Sequence, residues 1–374
     1  MQSSSGTYRP GLDQLRAVAV FLVFCWHFMH TDAILPLREG HAAPGPLSIV
    51  SMGYVGVSLF MVLSGYLFAG ITDGVRIDWT RFMRNRALRL LPMLGVALMG
   101  AYLKSRMTGQ DLQMGERLLW GWLLPSLPQG GWSITVELHF YVLLPVLLLI
   151  GRRSPYAWLG VMLAAVALRW GLLQRGEDME YLSYYTLVGR IDQFMMGMLA
   201  WHARRHVTGR HGLWLGAAAL YAWAMHELDS MGSPLGPHFN RPELWVVLPT
   251  MDAVFFGLTV AWFDTSFTSQ PSRLGRAVAA VGRSSYSLYL LHTFWVFSLA
   301  RWIDQHVVSL GDPLVTAGAA CVAFLVSAPV AALSYRLIEK PFLAARRAYR
   351  LGAAPNAACH QPDAAVMEEA RKVA

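Results

Sequence analysis

Apolar runs long enough to cross a bilayer recur along most of this chain, separated by short polar loops. A hydrocarbon core of about 30 Å needs roughly 20 apolar helical residues. On that criterion the pattern predicts ten spans, at 13–30, 53–72, 88–103, 133–150, 156–173, 184–201, 213–228, 244–263, 284–302 and 313–337. The run LLWGWLLP at 118–125 is too short to span and is expected in the membrane interface. The first run reads as an uncleaved first span, not as a cleaved leader. The predicted fold class is therefore all-α, a polytopic membrane bundle without an internal repeat.

Composition sharpens this. The 374 residues are 55% hydrophobic and only 14% charged, whereas soluble domains carry about 25% charged residues. A formal net charge of +8 raises nucleic acid as a partner. The basic residues cluster in alternate loops, however, and the positive-inside rule accounts for them without it. With the N-terminus in the cytoplasm, the inner loops hold Arg76, Arg81, Arg84, Arg86 and Arg89, then Arg152 and Arg153, then Arg204, Arg205 and Arg210, then Arg273, Arg276 and Arg283. The outer loops hold fewer: Arg38, Lys104, Arg106, Arg117, Arg175 and Arg241. Both termini are thus expected in the cytoplasm, with the protein in the cell (inner) membrane. Residues 1–345 are read as one membrane domain. The Ala-rich segment 346–374 is read as a disordered or loosely helical cytoplasmic tail. Cys25, Cys321 and Cys359 are far apart and form no CxxC or metal pattern.

Ionisable residues inside spans mark functional paths, because hydrocarbon penalises them. The first span carries Asp13, Arg16 and His27. Arg16 and His27 are eleven residues apart, about three turns, so they share a face roughly 16 Å apart along the axis. One lies near each membrane surface, which suits chemistry connecting two sides. In the fourth span Glu137 is expected at the depth of His27, where a carboxylate would orient an imidazole as a general base. His27, His30 and His41 lack a carboxylate at helical spacing, so no metal site is assigned. Arg86 and Arg89, at i and i+3, are expected at a helix start, where guanidinium groups and free backbone N–H groups both attract phosphate, and are candidates for binding a phosphate-bearing donor. Arg190, Asp192, Asp252 and His292 also lie within spans and are expected to face a polar interior. The bland account of Arg190 and Asp192 is a structural ion pair. Trp120 and Trp132 read as interfacial anchors. Gly53, Gly56, Gly65 and Gly70 of the second span read as close-packing positions.

Several strings together resemble the acyltransferase-3 family of integral membrane O-acyltransferases. RPGLDQLRAVAV, followed by the Trp26-His27 pair, resembles that family's first span, with its Arg and His ten residues between them. GYVGVSLFMVLSGYLF resembles its Gly-rich second span. RFMRNRALRLLP resembles its Arg-x-x-Arg loop, matched by Arg86 and Arg89. WSITVELHFYVLLP, VGRSSYSLYLLH and LIEKPF resemble later segments, and the likeness covers nearly all of residues 8–342.

The resemblance implies transfer of an acyl group, most often acetyl, from cytoplasmic acyl-CoA. The acceptor it implies is an extracytoplasmic sugar hydroxyl, possibly lipid-linked, as in an exopolysaccharide or O-antigen. No tightly bound cofactor is implied, because acyl-CoA is a substrate. On this reading Arg86 and Arg89 bind the donor's phosphates and Arg16 stabilises the donor within the bundle. His27 deprotonates the acceptor or briefly carries the acyl group, and Glu137 orients His27. Asp13, Asp192 and His292 are further candidates for substrate contact. The rival from another class is a transporter or exporter that moves an acyl or glycan substrate without chemistry.

Overall fold

The computed structural model describes residues 8–31, 43, 45–109, 113–236, 239–267 and 272–351. Among them the chain is almost wholly helical. The main helices are α1 (Pro10–Met29), α2 (Gly56–Thr72), α3 (Trp79–Thr108), α4 (Met114–Trp120), α5 (Gly131–Gly151), α6 (Ala157–Leu173) and α7 (Leu187–Val207). They continue as α8 (His211–Ser230), α9 (Leu248–Ser266), α10 (Arg273–Arg283), α11 (Ser285–Leu291), α12 (Val296–His306), α13 (Pro313–Ser334) and α14 (Lys340–Ala344). The one sheet found among the described residues is a two-residue antiparallel ladder, Arg76–Ile77 with Arg350–Leu351.

Among the described residues five stretches are long and apolar enough to cross a membrane: α1, Gly53–Thr72, α3, α5 and Pro313–Ala344, with α6 a shorter apolar helix. This makes the molecule a multi-pass membrane helical bundle. Helices α7, α8 and α9 coincide with the sixth, seventh and eighth expected spans but fall short in hydropathy or carry too many charges. The ninth expected span, 284–302, is broken into α11, a 3-10 turn at His292–Phe294, and α12. The last span is interrupted by a π-helical turn, Tyr335–Glu339, a feature frequent at functional sites.

Two layers are visible in burial. The apolar windows of α1 and of Gly53–Thr72 are 67% and 72% buried, against 33% for α3 and 39% for α5. The inner helices approach closely because small residues line their contacts. Gly65 of α2 rests on the Phe194 carbonyl and Gly197 of α7 rests on the Val62 carbonyl; a Cβ at either would collide with backbone. Gly53 and Gly56 lie against the carbonyls of Leu22 and Ala19 in the same way. The small residues of the second span are therefore packing residues, as read from the sequence.

The expected Arg190–Asp192 pair does not form. Two residues apart on a helix, their side chains diverge by about 200°. Asp192 instead meets Arg169 of α6 at 2.7 Å, both side chains fully buried. Arg169 also donates to the carbonyls of Val246 and Val188. Arg190 turns to Ser58, Gln193 and the Tyr184 carbonyl. Within the segment expected as a tail, the side-chain amide of Asn85 bonds the Arg347 backbone, and Arg350–Leu351 pairs with Arg76–Ile77. The remainder of that tail, 352–374, lies outside the described residues, as do Arg38, His41 and Cys359.

Candidate active site

Two cavities lie end to end inside the bundle. The larger, of about 440 Å³, opens at the end that carries the start of α1, the start of α3 and the C-terminal strand. Among the described residues its wall holds Arg9, Arg16, Arg86, Arg89, Arg283, Arg346 and Arg350 against two carboxylates, Asp13 and Glu137. Some of this charge is balanced locally. Arg16 donates to Asp13 at 2.7 Å, one helical turn away. Arg9 pairs with Asp264, and Arg89 lies 3.5 Å from Glu339 on the π-helical turn. Glu339 in turn accepts from Ser287 at 2.6 Å.

Among the described residues no carboxylate pairs directly with Arg86; its side chain meets Tyr141, which in turn donates to Glu137. Its guanidinium lies 5.3 Å from the ring centres of both Phe68 and Phe82, and its buried Nε has no hydrogen-bond partner. Burial, together with Arg89 and Arg86 beside it, holds the Arg346 guanidinium below its ordinary value. A partly dry pocket with surplus guanidinium groups suits a polyanion, above all phosphates, which planar donor forks engage in pairs. One expectation needs correcting. Helix α3 starts at Trp79, so Arg86 and Arg89 sit two to three turns inside it. The free N–H groups of a helix start are not beside them, and only their side chains can meet an anion.

The second cavity, of about 80 Å³, lies beside the last turn of α1 and contains His27 and His292. His27 Nδ1 is 2.8 Å from the Val23 carbonyl and 3.2 Å from His292 Nε2. His292 Nδ1 is 3.1 Å from the Leu288 carbonyl. Carbonyls only accept, so each Nδ1 carries its proton toward its carbonyl. His292 Nε2 is then a lone pair facing the His27 Nδ1–H, and Nε2 of His27 is its basic nitrogen. Aromatic residues wall the pocket. Trp132 packs on Tyr184 and Tyr185, with ring centres 5.2 and 4.9 Å apart, and Tyr54 meets Tyr184 at 5.6 Å. Trp132 is thus a pocket wall instead of the expected interfacial anchor, while Trp120 is exposed.

Val57 and Tyr289 line both cavities. The Tyr289 hydroxyl donates to Ser133 Oγ at 2.9 Å, and Ser133 donates to the Gly130 carbonyl at 2.9 Å. This chain pins the Tyr289 ring to the start of α5.

Most sequence candidates meet at these cavities. Arg16, Asp13, Arg86, Arg89 and Glu137 line the larger one, and His27 and His292 share the smaller. Asp192 reaches neither; it is sealed against Arg169. The expected contact between Glu137 and His27 is absent. Glu137 accepts from Tyr141 and, at 3.4 Å, from Ser64. The reason is depth. Gly130 and Trp132, at the very start of α5, border the His27 pocket. Glu137 lies six residues into the helix, about 9 Å deeper. His139, on another side, contacts the Trp122 carbonyl. Sequence reasoning missed the His27–His292 pairing, the Tyr289–Ser133 contact, and Arg346 and Arg350. The string VGRSSYSLYLLH carries Arg283, Tyr289 and His292, but counting apolar residues hid the helix break that presents His292.

The acyltransferase family model, described as an acyltransferase domain, matches residues 9–332. The chain belongs to the acyltransferase-3 family. Membership carries the class of chemistry, acyl transfer by a membrane enzyme. Among its relatives, the "Exopolysaccharide production protein ExoZ" of Rhizobium meliloti is 27% identical over 333 residues, 84% of this chain and 96% of that protein. The "Putative peptidoglycan O-acetyltransferase YrhL" of Bacillus subtilis is 24% identical over 377 residues, 89% of this chain. The chain spans about half, 55%, of that Bacillus protein's length. The "Putative membrane-bound transacylase BcsY" of Komagataeibacter xylinus is 25% identical over 313 residues, 76% of this chain and 72% of that protein. No solved structure matches the chain.

Proposed function

We propose that this acyltransferase moves an acyl group, acetyl in the first instance, from cytoplasmic acyl-CoA to a hydroxyl of an extracytoplasmic glycan or glycolipid. One observation carries the reading. An arginine-lined cavity at one end of the bundle adjoins a histidine pocket nearer the other end, across a wall shared by Val57 and Tyr289. The same wall is spanned by α1, whose Arg16 and His27 are about 16 Å apart along the axis. The names of the relatives favour a polysaccharide acceptor, and the arginine distribution favours the cytoplasm of an inner membrane for the arginine end.

On this reading Arg86 and its neighbours hold the diphosphate and the ribose phosphate of the donor, and the pantetheine arm carries the thioester toward His27. Nε2 of His27 takes the proton of the acceptor hydroxyl while that oxygen attacks the thioester carbonyl. The C–O bond forms, the C–S bond breaks, and the imidazolium returns the proton to the departing thiolate. The same nitrogen can instead attack first and carry the acyl group as an acyl-imidazole before the hydroxyl takes it. His292 holds the His27 ring in the tautomer that leaves Nε2 free. Glu137, with Ser64 and Tyr141, stays on the donor side and balances the arginines.

The test is acyl-CoA turnover by purified protein in liposomes, with radiolabel followed into glycan. Release of CoA coupled to ester formation on the glycan supports the reading. Movement of an intact substrate without thioester cleavage would mean the transporter reading instead.

A further inference from the structure

A strap, residues 345–351, borders the arginine cavity and is tied onto the start of α3. Arg84 donates to the Ala345 carbonyl at 3.2 Å. The fully buried side chain of Asn85 donates to the Arg347 carbonyl at 2.6 Å and accepts from the Arg347 N–H at 3.1 Å. The Asp78 N–H donates to the Tyr349 carbonyl at 2.8 Å, and the buried Tyr349 ring lies edge-on to Phe82 at 5.6 Å. Arg350–Leu351 then pairs with Arg76–Ile77. Two side chains of the strap, Arg346 and Arg350, enter the cavity wall. The match to the family model ends at residue 332, so the strap lies outside it.

The order of the arginines follows from these ties. Arg350 pairs with Ile77, two residues before α3 begins, and Arg347 sits beside Asn85. Arg86 and Arg89 follow at about 10 and 15 Å along α3 from Trp79. From the open end inward the row is therefore Arg350, Arg346, Arg86, Arg89. Arg89 is matched by Glu339 at 3.5 Å. Arg346 gives its Nε to the Leu343 carbonyl at 3.1 Å and pairs with no carboxylate among the described residues. Arg89 and Arg86 lie near enough to act on its charge. Like charges this close repel, and an anion between them removes the cost. An acyl-CoA with its thioester toward His27 places its diphosphate next and the 3′-phosphate of its ribose last. Such a phosphate monoester carries a charge of about −1.5 to −2 at neutral pH and three strong acceptor oxygens.

We infer that Arg346 and Arg350 take the 3′-phosphate of the donor, so that this enzyme selects CoA thioesters over those of 3′-dephospho-CoA. The inference rests on the acyl-CoA reading above and deepens it. Arg86 and Arg89 meet the diphosphate, which both compounds carry, and the strap meets the group that only one carries.

The experiment titrates purified full-length protein calorimetrically with CoA and with 3′-dephospho-CoA, and measures acetyl transfer from the acetyl thioester of each. The wild-type protein should bind CoA about ten- to a hundredfold tighter, the scale of one or two charge-assisted phosphate contacts. Arg346→Ala should weaken CoA binding by about tenfold and leave 3′-dephospho-CoA nearly unchanged. Arg346→Lys should keep part of the preference, because it retains the charge and loses the fork. Arg350→Ala should lower the preference in the same direction. Arg86→Ala should weaken both compounds alike. Monodispersity after extraction identifies any variant that fails to fold, and the wild-type comparison with Arg350→Ala carries the test if Arg346→Ala does so. Equal wild-type affinity for the two compounds overturns the inference, and so does an undiminished preference in folded Arg346→Ala. Acetyl transfer from acetyl-CoA would still stand in both cases. A protein that binds neither compound and cleaves neither thioester overturns the acyl-CoA reading and this inference with it.

Discussion

His292 Nε2 stands 3.2 Å from His27 Nδ1, and the two residues come from helices 265 positions apart in sequence. The pairing fixes which nitrogen of His27 is basic, because His27 Nδ1 is occupied by the Val23 carbonyl on one side and His292 on the other. His292→Ala should lower kcat by about a hundredfold, the scale for a misoriented catalytic group, with a smaller effect on KM for the donor. His292→Gln, which can still accept a hydrogen bond, should recover part of kcat. Equal losses in both variants, confined to protein yield, would reduce His292 to a packing residue.

Arg86 is the cleanest probe of the donor site, since among the described residues it reaches a carboxylate, Glu137, only through Tyr141. Arg86→Ala should weaken acyl-CoA binding by roughly ten- to a hundredfold, the equivalent of about 1.5–3 kcal/mol for a charge-assisted contact. Lysine should restore only part of that, because it keeps the charge and loses the fork. Arg89→Ala should do more damage to the fold, because it strands Glu339, whose side chain is 1% exposed. Calorimetric titration with CoA on purified protein checks both. Unchanged affinity in Arg86→Ala would return these arginines to a purely topological role.

Glu137→Gln should act on donor binding and leave the acid limb of the pH–rate profile, where protonation of His27 removes the base, where it is, because Glu137 lies in the arginine cavity and does not contact His27. Paired with His292→Gln in a double-mutant cycle, its effect should be close to additive. A pH limb moved to lower values would bring back the carboxylate–imidazole dyad that depth alone predicts from the sequence.

Much of the fold is legible in the sequence, and the reasons differ by residue. The span pattern finds α1, α2, α5, α6 and α13 because their apolar runs are continuous. It reads α7 correctly as a helix in the bundle but misassigns Asp192, since a partner on another helix such as Arg169 leaves no trace in local spacing. Asp13, Arg16, Arg86 and Arg89 are legible as residues facing a polar interior, and they line the larger cavity, because charge in a span is conspicuous. The Tyr289–Ser133 contact and the His292 turn are not. Tyrosine, serine and a single histidine inside apolar runs look like ordinary core until the helix break at His292 sets that ring beside His27.

Orientation is open to direct measurement. Reporter tags after residue 78 and at the C-terminus should read as cytoplasmic, and tags after residues 40 and 308 as extracytoplasmic, from the arginine bias between loops. Residue 40 lies outside the described residues, whereas residue 308 follows α12 directly. A cytoplasmic readout at residue 308 would put the histidine pocket on the donor side.

The central claim is that the donor enters at the arginine end and the acyl group leaves at His27. Inside-out membrane vesicles of the producing strain test it, with labelled acetyl-CoA added to the exposed cytoplasmic face. The account predicts that label becomes esterified to glycan enclosed within the vesicles, and that His27→Ala, present at normal level, lowers this by about a thousandfold or more. Near-normal incorporation by His27→Ala would contradict it.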